Sequence, residues 1–186
     1  MLFFRTAATD ITPHRCSQNN RKGFHNEGCT AILVVVRERK ALSMRISTKG
    51  RYAIRLMLDL AMNNTGDPIR LKDVAKRQEI SDKYLEQIIA VLNKAGFVRS
   101  IRGAMGGYVL TRDPKAYTVG EILRLTEGSL SPVECTDDPG LCPRETGCAT
   151  AILWKKLSDA VNEVVDNVTL EDLLTWQESL ADDYVI

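Results

Sequence analysis

At 186 residues, 44% apolar and 26% charged, the chain can bury a core without disulfide support, and its composition excludes a disulfide scaffold or a low-complexity protein. Five cysteines, odd in number and unevenly spread, fit a reducing cytoplasm, where clustered thiols bind metal or sense redox state. The net charge of +1 hides an asymmetry: residues 44–115 carry +7 and residues 116–186 carry −10, so one half suits a polyanion and the other does not.

Residues 1–43 show no sustained helical period. Ala31-Ile-Leu-Val-Val-Val36 is too short to span a bilayer, and MLFFRTAATD lacks the apolar core of a signal peptide, so no membrane partner is expected. His14, Cys16, His25 and Cys29 match no zinc-finger spacing. Met44 stands immediately before the first well-patterned segment, and 1–43 is expected to be disordered or to precede the true start.

From Met44 the pattern sharpens. Ser47 and Thr48 offer hydroxyl caps, and Ala53, Leu56, Met57 and Leu60 recur at helical spacing, which predicts an amphipathic helix stopping at Asn63-Asn-Thr-Gly-Asp-Pro68. Leu71, Val74 and Ala75 mark a short second helix. A third, capped by Ser81 and begun by Asp82, buries Leu85, Ile88, Ile89 and Leu92 and ends at Gly96. Two short helices with a tight junction suggest a helix-turn-helix. Phe97 to Arg102 and Tyr108 to Arg112 then read as strands around Gly103-Ala-Met-Gly-Gly107. Arg102 beside a glycine-rich tip, in the basic half, predicts a DNA-binding wing, its glycines allowing positive φ and close backbone approach. The predicted class is mainly α with a small β-hairpin wing. Residues 44–115 form the winged helix-turn-helix domain, and 116–186 hold a cysteine loop and a long dimerisation helix.

In the acidic half, Thr118-Val-Gly-Glu121 is a capping box for a short helix that buries Ile122, Leu123 and Leu125 and ends at Gly128. Ala149 to Val168 reads as a long helix with Leu157, Val161, Val164 and Val168 in a 4-3-4 seam, open either to a partner helix or to the chain's own domain. Thr169-Leu-Glu-Asp172 caps a last helix. Between these helices lie Cys135, Cys142 and Cys148, spaced C-x6-C-x5-C, with Cys148 at a helix start that favours its thiolate. Three thiolates suit an iron–sulfur cluster with a fourth ligand from elsewhere; zinc with a carboxylate and plain redox thiols are the rivals. No acid/base pair or cofactor loop accompanies them, so no enzyme is expected.

Met44-Arg-Ile-Ser-Thr-Lys-Gly-Arg-Tyr-Ala53, Tyr84-Leu-Glu-Gln87 and Val98-Arg-Ser-Ile-Arg-Gly-Ala-Met-Gly-Gly-Tyr-Val-Leu110 resemble the bacterial IscR/NsrR/CymR (Rrf-two) regulators, from Met44 to about Trp176. The resemblance implies a homodimeric transcription factor, usually a repressor, that reads a palindromic double-stranded operator. Its third helix enters the major groove and its wing the minor groove. Ser81, Lys83, Tyr84, Glu86 and Gln87 are then the recognition residues. Arg102, with Gly106 and Gly107, serves the minor groove, and Arg45, Ser47, Lys49 and Arg51 hold phosphates.

The same resemblance implies an iron–sulfur sensor at Cys135, Cys142 and Cys148, 2Fe–2S in preference to 4Fe–4S. The histidine that such sensors place three residues after the last cysteine is Ala151 here, and the aspartate that other members use is Arg51. The fourth ligand is therefore unassigned, with Glu134, Asp137, Asp138 and Glu145 as local carboxylates. Leu130-Ser-Pro-Val-Glu134 and Thr169-Leu-Glu-Asp-Leu173 resemble instead the cluster-free cysteine-metabolism repressors, which answer to a cysteine-biosynthesis enzyme as partner.

Overall fold

The computed structural model describes residues 45–182 apart from 139, 145 and 146. The expectation for 1–43 falls outside these residues. The described chain lies within one compact unit, Lys40–Ile186. It runs α1 (Thr48–Met62), α2 (Leu71–Gln78), α3 (Asp82–Lys94), β1 (Val98–Ile101), β2 (Gly107–Leu110), α4 (Val119–Glu127), α5 (Ala149–Asn167) and α6 (Leu170–Asp182). Single 3-10 turns sit at Pro114–Ala116 and Glu134–Thr136. Among the described residues no helix is long and apolar enough to cross a membrane.

The core follows from two apolar stripes at helical spacing. Ala53, Leu56, Met57 and Leu60 of α1 are at most 1% exposed, and Leu85, Ile88, Ile89 and Leu92 of α3 at most 2%. Each of the Leu, Met and Ile side chains contributes about 1.5–3 kcal/mol of burial. Tyr117, Ile122 of α4 and Leu170 of α6 join the same cluster, because α4 and α6 both pack against α1.

Polar bonds set the junctions. Asp59, 2% exposed on α1, accepts from Arg77 at 2.5 and 3.0 Å and from Gln78 at 2.9 Å, which clamps α2 to α1. The Asp59 carboxylate keeps the Arg77 guanidinium above its ordinary pKa, chiefly through these bonds. The α2–α3 turn closes on Glu79 at φ 54°, the one non-glycine residue with positive φ among those described.

The strands pair antiparallel, Val98 with Leu110 through Ile101 with Gly107. Two tethers hold this hairpin to the body. At its base the buried Tyr117 hydroxyl donates to Phe97 O at 2.7 Å and accepts from the N–H groups of Thr111 and Arg112 at 3.0 and 2.8 Å. On its flank Tyr108 exchanges backbone bonds of 2.8 and 3.0 Å with Ile69.

The capping box at Thr118 and Glu121 forms as expected, and Gly128 ends α4. Leu125 of α4, expected inside, is only half-buried. Ser81 stands at the α3 N-cap without a side-chain capping bond; its carbonyl, not its hydroxyl, takes the N–H groups of Tyr84 and Leu85.

Candidate nucleic-acid interface and cysteine loop

The α3 face opposite its buried stripe is left to solvent: Ser81, Lys83, Glu86 and Gln87 are all exposed. Tyr84 is half-buried and meets Tyr52 of α1 edge-on, ring centroids 5.7 Å apart. That contact joins the second turn of α1 to the first turn of α3. Arg51 and Arg55 sit at 6.0 and 5.5 Å from the Tyr52 ring, so two cations flank it, and Arg55 also donates to Gln78 O at the end of α2. Arg45 and Arg51 are exposed and Lys49 is half-buried.

The α1 start is itself engaged. Ser47 caps it by accepting from Lys49 and Gly50 N–H, while its hydroxyl donates to Glu127 Oε1 at 2.6 Å. Gly50 N–H also donates to Glu127 Oε1, at 2.8 Å. The Ser47 hydroxyl, expected to face a phosphate, therefore meets an internal carboxylate from the end of α4, as does the Gly50 N–H. Lys49, Arg45 and Arg51 remain as charges for that role.

Arg102 is exposed at the end of β1 and makes no ion pair among the described residues. The wing glycines serve two purposes. Gly103 has φ +118°, a backbone state that side chains disfavour. Gly106 and Gly107 do not take positive φ. A Cβ on Gly106 would strike Ile101 O, and one on Gly107 would strike the Ile69 backbone, so the hairpin's own packing demands both. At the tip, Met105 is 78% exposed, and Arg70 Nη2 donates to Ala104 O at 3.1 Å.

Cys135 lies in the 3-10 turn, Cys148 at the α5 N-cap and Cys142 between them; all three are half-buried and free. A cavity of about 640 Å³ opens between the 3-10 turn and α5, lined by Cys135, Thr136, Ala151, Ile152, Lys155, Lys156, Ser158 and Asp159. Position 151, where a histidine was missing from the sequence pattern, thus shares this cavity with Cys135. Cys142 and Cys148 do not line it. Cys148 Sγ lies 3.0 Å from Thr150 Oγ1, and that hydroxyl, then the Ala151 N–H at the helix start, hold its thiol below the ordinary range. Among the described residues no three His, Cys, Asp or Glu side chains converge to hold a metal ion. Asp137 and Asp138 point to solvent, Glu134 is half-buried, and Glu145 lies outside the described residues.

A model of the Rrf2 family, described as an iron-dependent transcriptional regulator, matches residues 46–175. The chain belongs to the Rrf2 family of transcriptional regulators. It is 44% identical to the HTH-type transcriptional regulator CymR of Bacillus subtilis over 142 residues, covering 76% of this chain and 98% of that protein. It is 41% identical to the regulator IscR of Escherichia coli O1:K1 over 137 residues, 74% of this chain and 84% of that one. The solved structure of CymR, the global cysteine regulator of B. subtilis, superposes with a TM-score of 0.62 at 45% identity, covering 71% of this chain and 97% of that one.

Membership of the Rrf2 family makes the chain a DNA-binding regulator of winged-helix fold, and not an enzyme. Sequence reasoning missed three residues that shape the interface: Glu127, Arg70 and Asp59. Each acts on partners 18 to 80 residues away, where no period or spacing connects the two.

Proposed function

We propose that the chain acts as a homodimeric repressor on palindromic double-stranded DNA, in the cytoplasm, with thiol chemistry at Cys135, Cys142 and Cys148 as its input. The observation that carries the DNA reading is the unburied polar face of α3. Gln87 can pair bidentately with adenine, Glu86 can accept from cytosine, and Ser81, Lys83 and Tyr84 reach phosphate or base edges. Arg102 fits a narrow, electronegative minor groove, while Arg45, Lys49 and Arg51 hold phosphates. Dimerisation is supported by the apolar face of α5, where Leu157 is 37% and Val164 62% exposed within one chain. Duplexes selected from a random pool should be palindromic. Arg102→Ala should weaken those with A/T-rich flanks about tenfold and those with G/C flanks less; equal loss on both would remove Arg102 from the minor groove.

Two readings of the input have separate support. The donor set supports a 2Fe–2S cluster: three thiolates on one loop, in a chain similar to IscR. The geometry supports the cluster-free reading. The three thiols do not converge among the described residues, Ala151 brings no ligand to the Cys135 cavity, and the chain is equally similar to CymR. On that reading the thiols respond to oxidation, or the acidic half docks a cysteine-biosynthesis enzyme. Anaerobic purification with iron and sulfide analysis and a visible spectrum separates them. A coloured protein with stoichiometric iron and sulfide supports the cluster, and a colourless, iron-free protein that binds the selected duplex supports the second reading.

A further inference from the structure

The wing tip, Gly103–Gly106, carries Arg102 at its base and lies beyond the paired residues of β1 and β2. It holds two glycines, one at φ +118°, and one internal backbone bond closes it, Gly106 N–H to Gly103 O at 3.0 Å. The strands below it are tied down by Tyr117 and Ile69, but neither tether reaches the tip. The contact that does reach it comes from Arg70, the residue before α2. Its guanidinium Nη2 donates to Ala104 O at 3.1 Å and lies 3.6 Å from Met105 Sδ. Arg70 is well placed for this, because Ile69 is bridged to Tyr108 and the Gly107 backbone packs directly on Ile69. One segment thus holds the hairpin flank by its backbone and the tip by its side chain.

We infer that Arg70 is a positioning residue for minor-groove recognition: it orders the wing tip before DNA arrives and so fixes the approach of Arg102. A tip that is already ordered loses less conformational entropy when it enters a groove. The inference rests on the reading of Arg102 given above and adds a residue that belongs neither to the recognition helix nor to the wing.

The test uses the full chain and duplexes selected from a random pool, with flanks exchanged between A/T and G/C. Arg70→Ala should lose about fivefold in affinity on A/T-flanked duplexes, as expected for one hydrogen bond, and little on G/C-flanked ones. Its salt slope should equal that of the unsubstituted chain. In the Arg102→Ala background, Arg70→Ala should have almost no further effect, since both act through one contact. Amide exchange in the free protein should quicken at 103–106 while β1 and β2 keep their protection. A salt slope lower by about 1 would mean that Arg70 holds a phosphate itself and would overturn the assignment. So would equal loss on both flanks, or an additive loss in the double variant. If Arg102→Ala alone shows no flank preference, the minor-groove reading fails; if it does and Arg70→Ala does not, only this inference falls.

Discussion

The α1–α3 pair and the α5 helix treat their apolar residues in opposite ways. Every position of the α1 and α3 stripes is buried by the chain itself. In α5, nineteen residues long, the one buried residue is Ser158, whose hydroxyl lies 3.2 Å from that of Ser131, while Ile152 and Leu153 are 64% and 50% exposed. Trp176 and Leu180 of α6 continue the pattern at 53% and 63%. The first pair draws its stability from within the protomer. The second presents an apolar face of the kind that a partner surface covers.

The contrast can be broken most sharply inside the α1–α2 clamp. Asp59→Ala should cost about 2 kcal/mol in denaturant unfolding, because it removes the acceptor shared by Arg77 and Gln78, while the Arg77 guanidinium, more than a third exposed, can turn to water. A loss under about 1 kcal/mol would show that the clamp is ornamental to folding. On α5, Leu157→Glu with Val164→Glu should leave the thermal melt of the protomer nearly unchanged. The pair should halve the mass seen in sedimentation and weaken a palindromic duplex on the order of 100-fold, as the two half-sites cease to be linked. Lys49→Ala should lower the salt slope by roughly 1 and weaken all duplexes alike.

The smallest effect concerns acid. Asp166 on α5 is held below the usual carboxylate range by Arg124 of α4, which donates to it at 2.5 and 2.9 Å. A depressed carboxylate stabilises the fold above its unfolded pKa, and that contribution fades as pH falls through its folded value. Melting temperature should therefore drop slightly more steeply at acid pH in the unsubstituted chain than in Arg124→Ala. Both side chains are more than a third exposed, so the difference should be small and should shrink in salt.

Local chemistry was legible in the sequence. Ser47, Thr118 and Gly128 announce helix ends because a cap and its partner lie within four residues of each other, and the apolar stripes announce faces because a helix repeats. The polar bonds across the fold were not legible. Glu127 at the start of α1, Tyr117 at the wing base and Arg77 on Asp59 join residues brought together only by packing. The glycines show a subtler limit. Gly106 and Gly107 could be read for DNA approach, yet the backbone that crowds them is the chain's own. In the cysteine loop the spacing offered three thiols, but it did not show that no three such side chains come together among the described residues.

The distant cap on α1 has a mechanical side. A helix normally carries its own cap and can move with it. Here Ser47 caps the first turn locally, but a second acceptor, the carboxylate of the last residue of α4, closes on it as well, and from there the chain runs on toward Cys135. The first turn of α1, with Lys49 and Arg51 on it, is therefore spliced to the lead-in of the cysteine segment. If that lead-in slides, the helix start loses an anion that it holds at 2.8 Å and keeps only the Ser47 hydroxyl on its first N–H groups, among its cations.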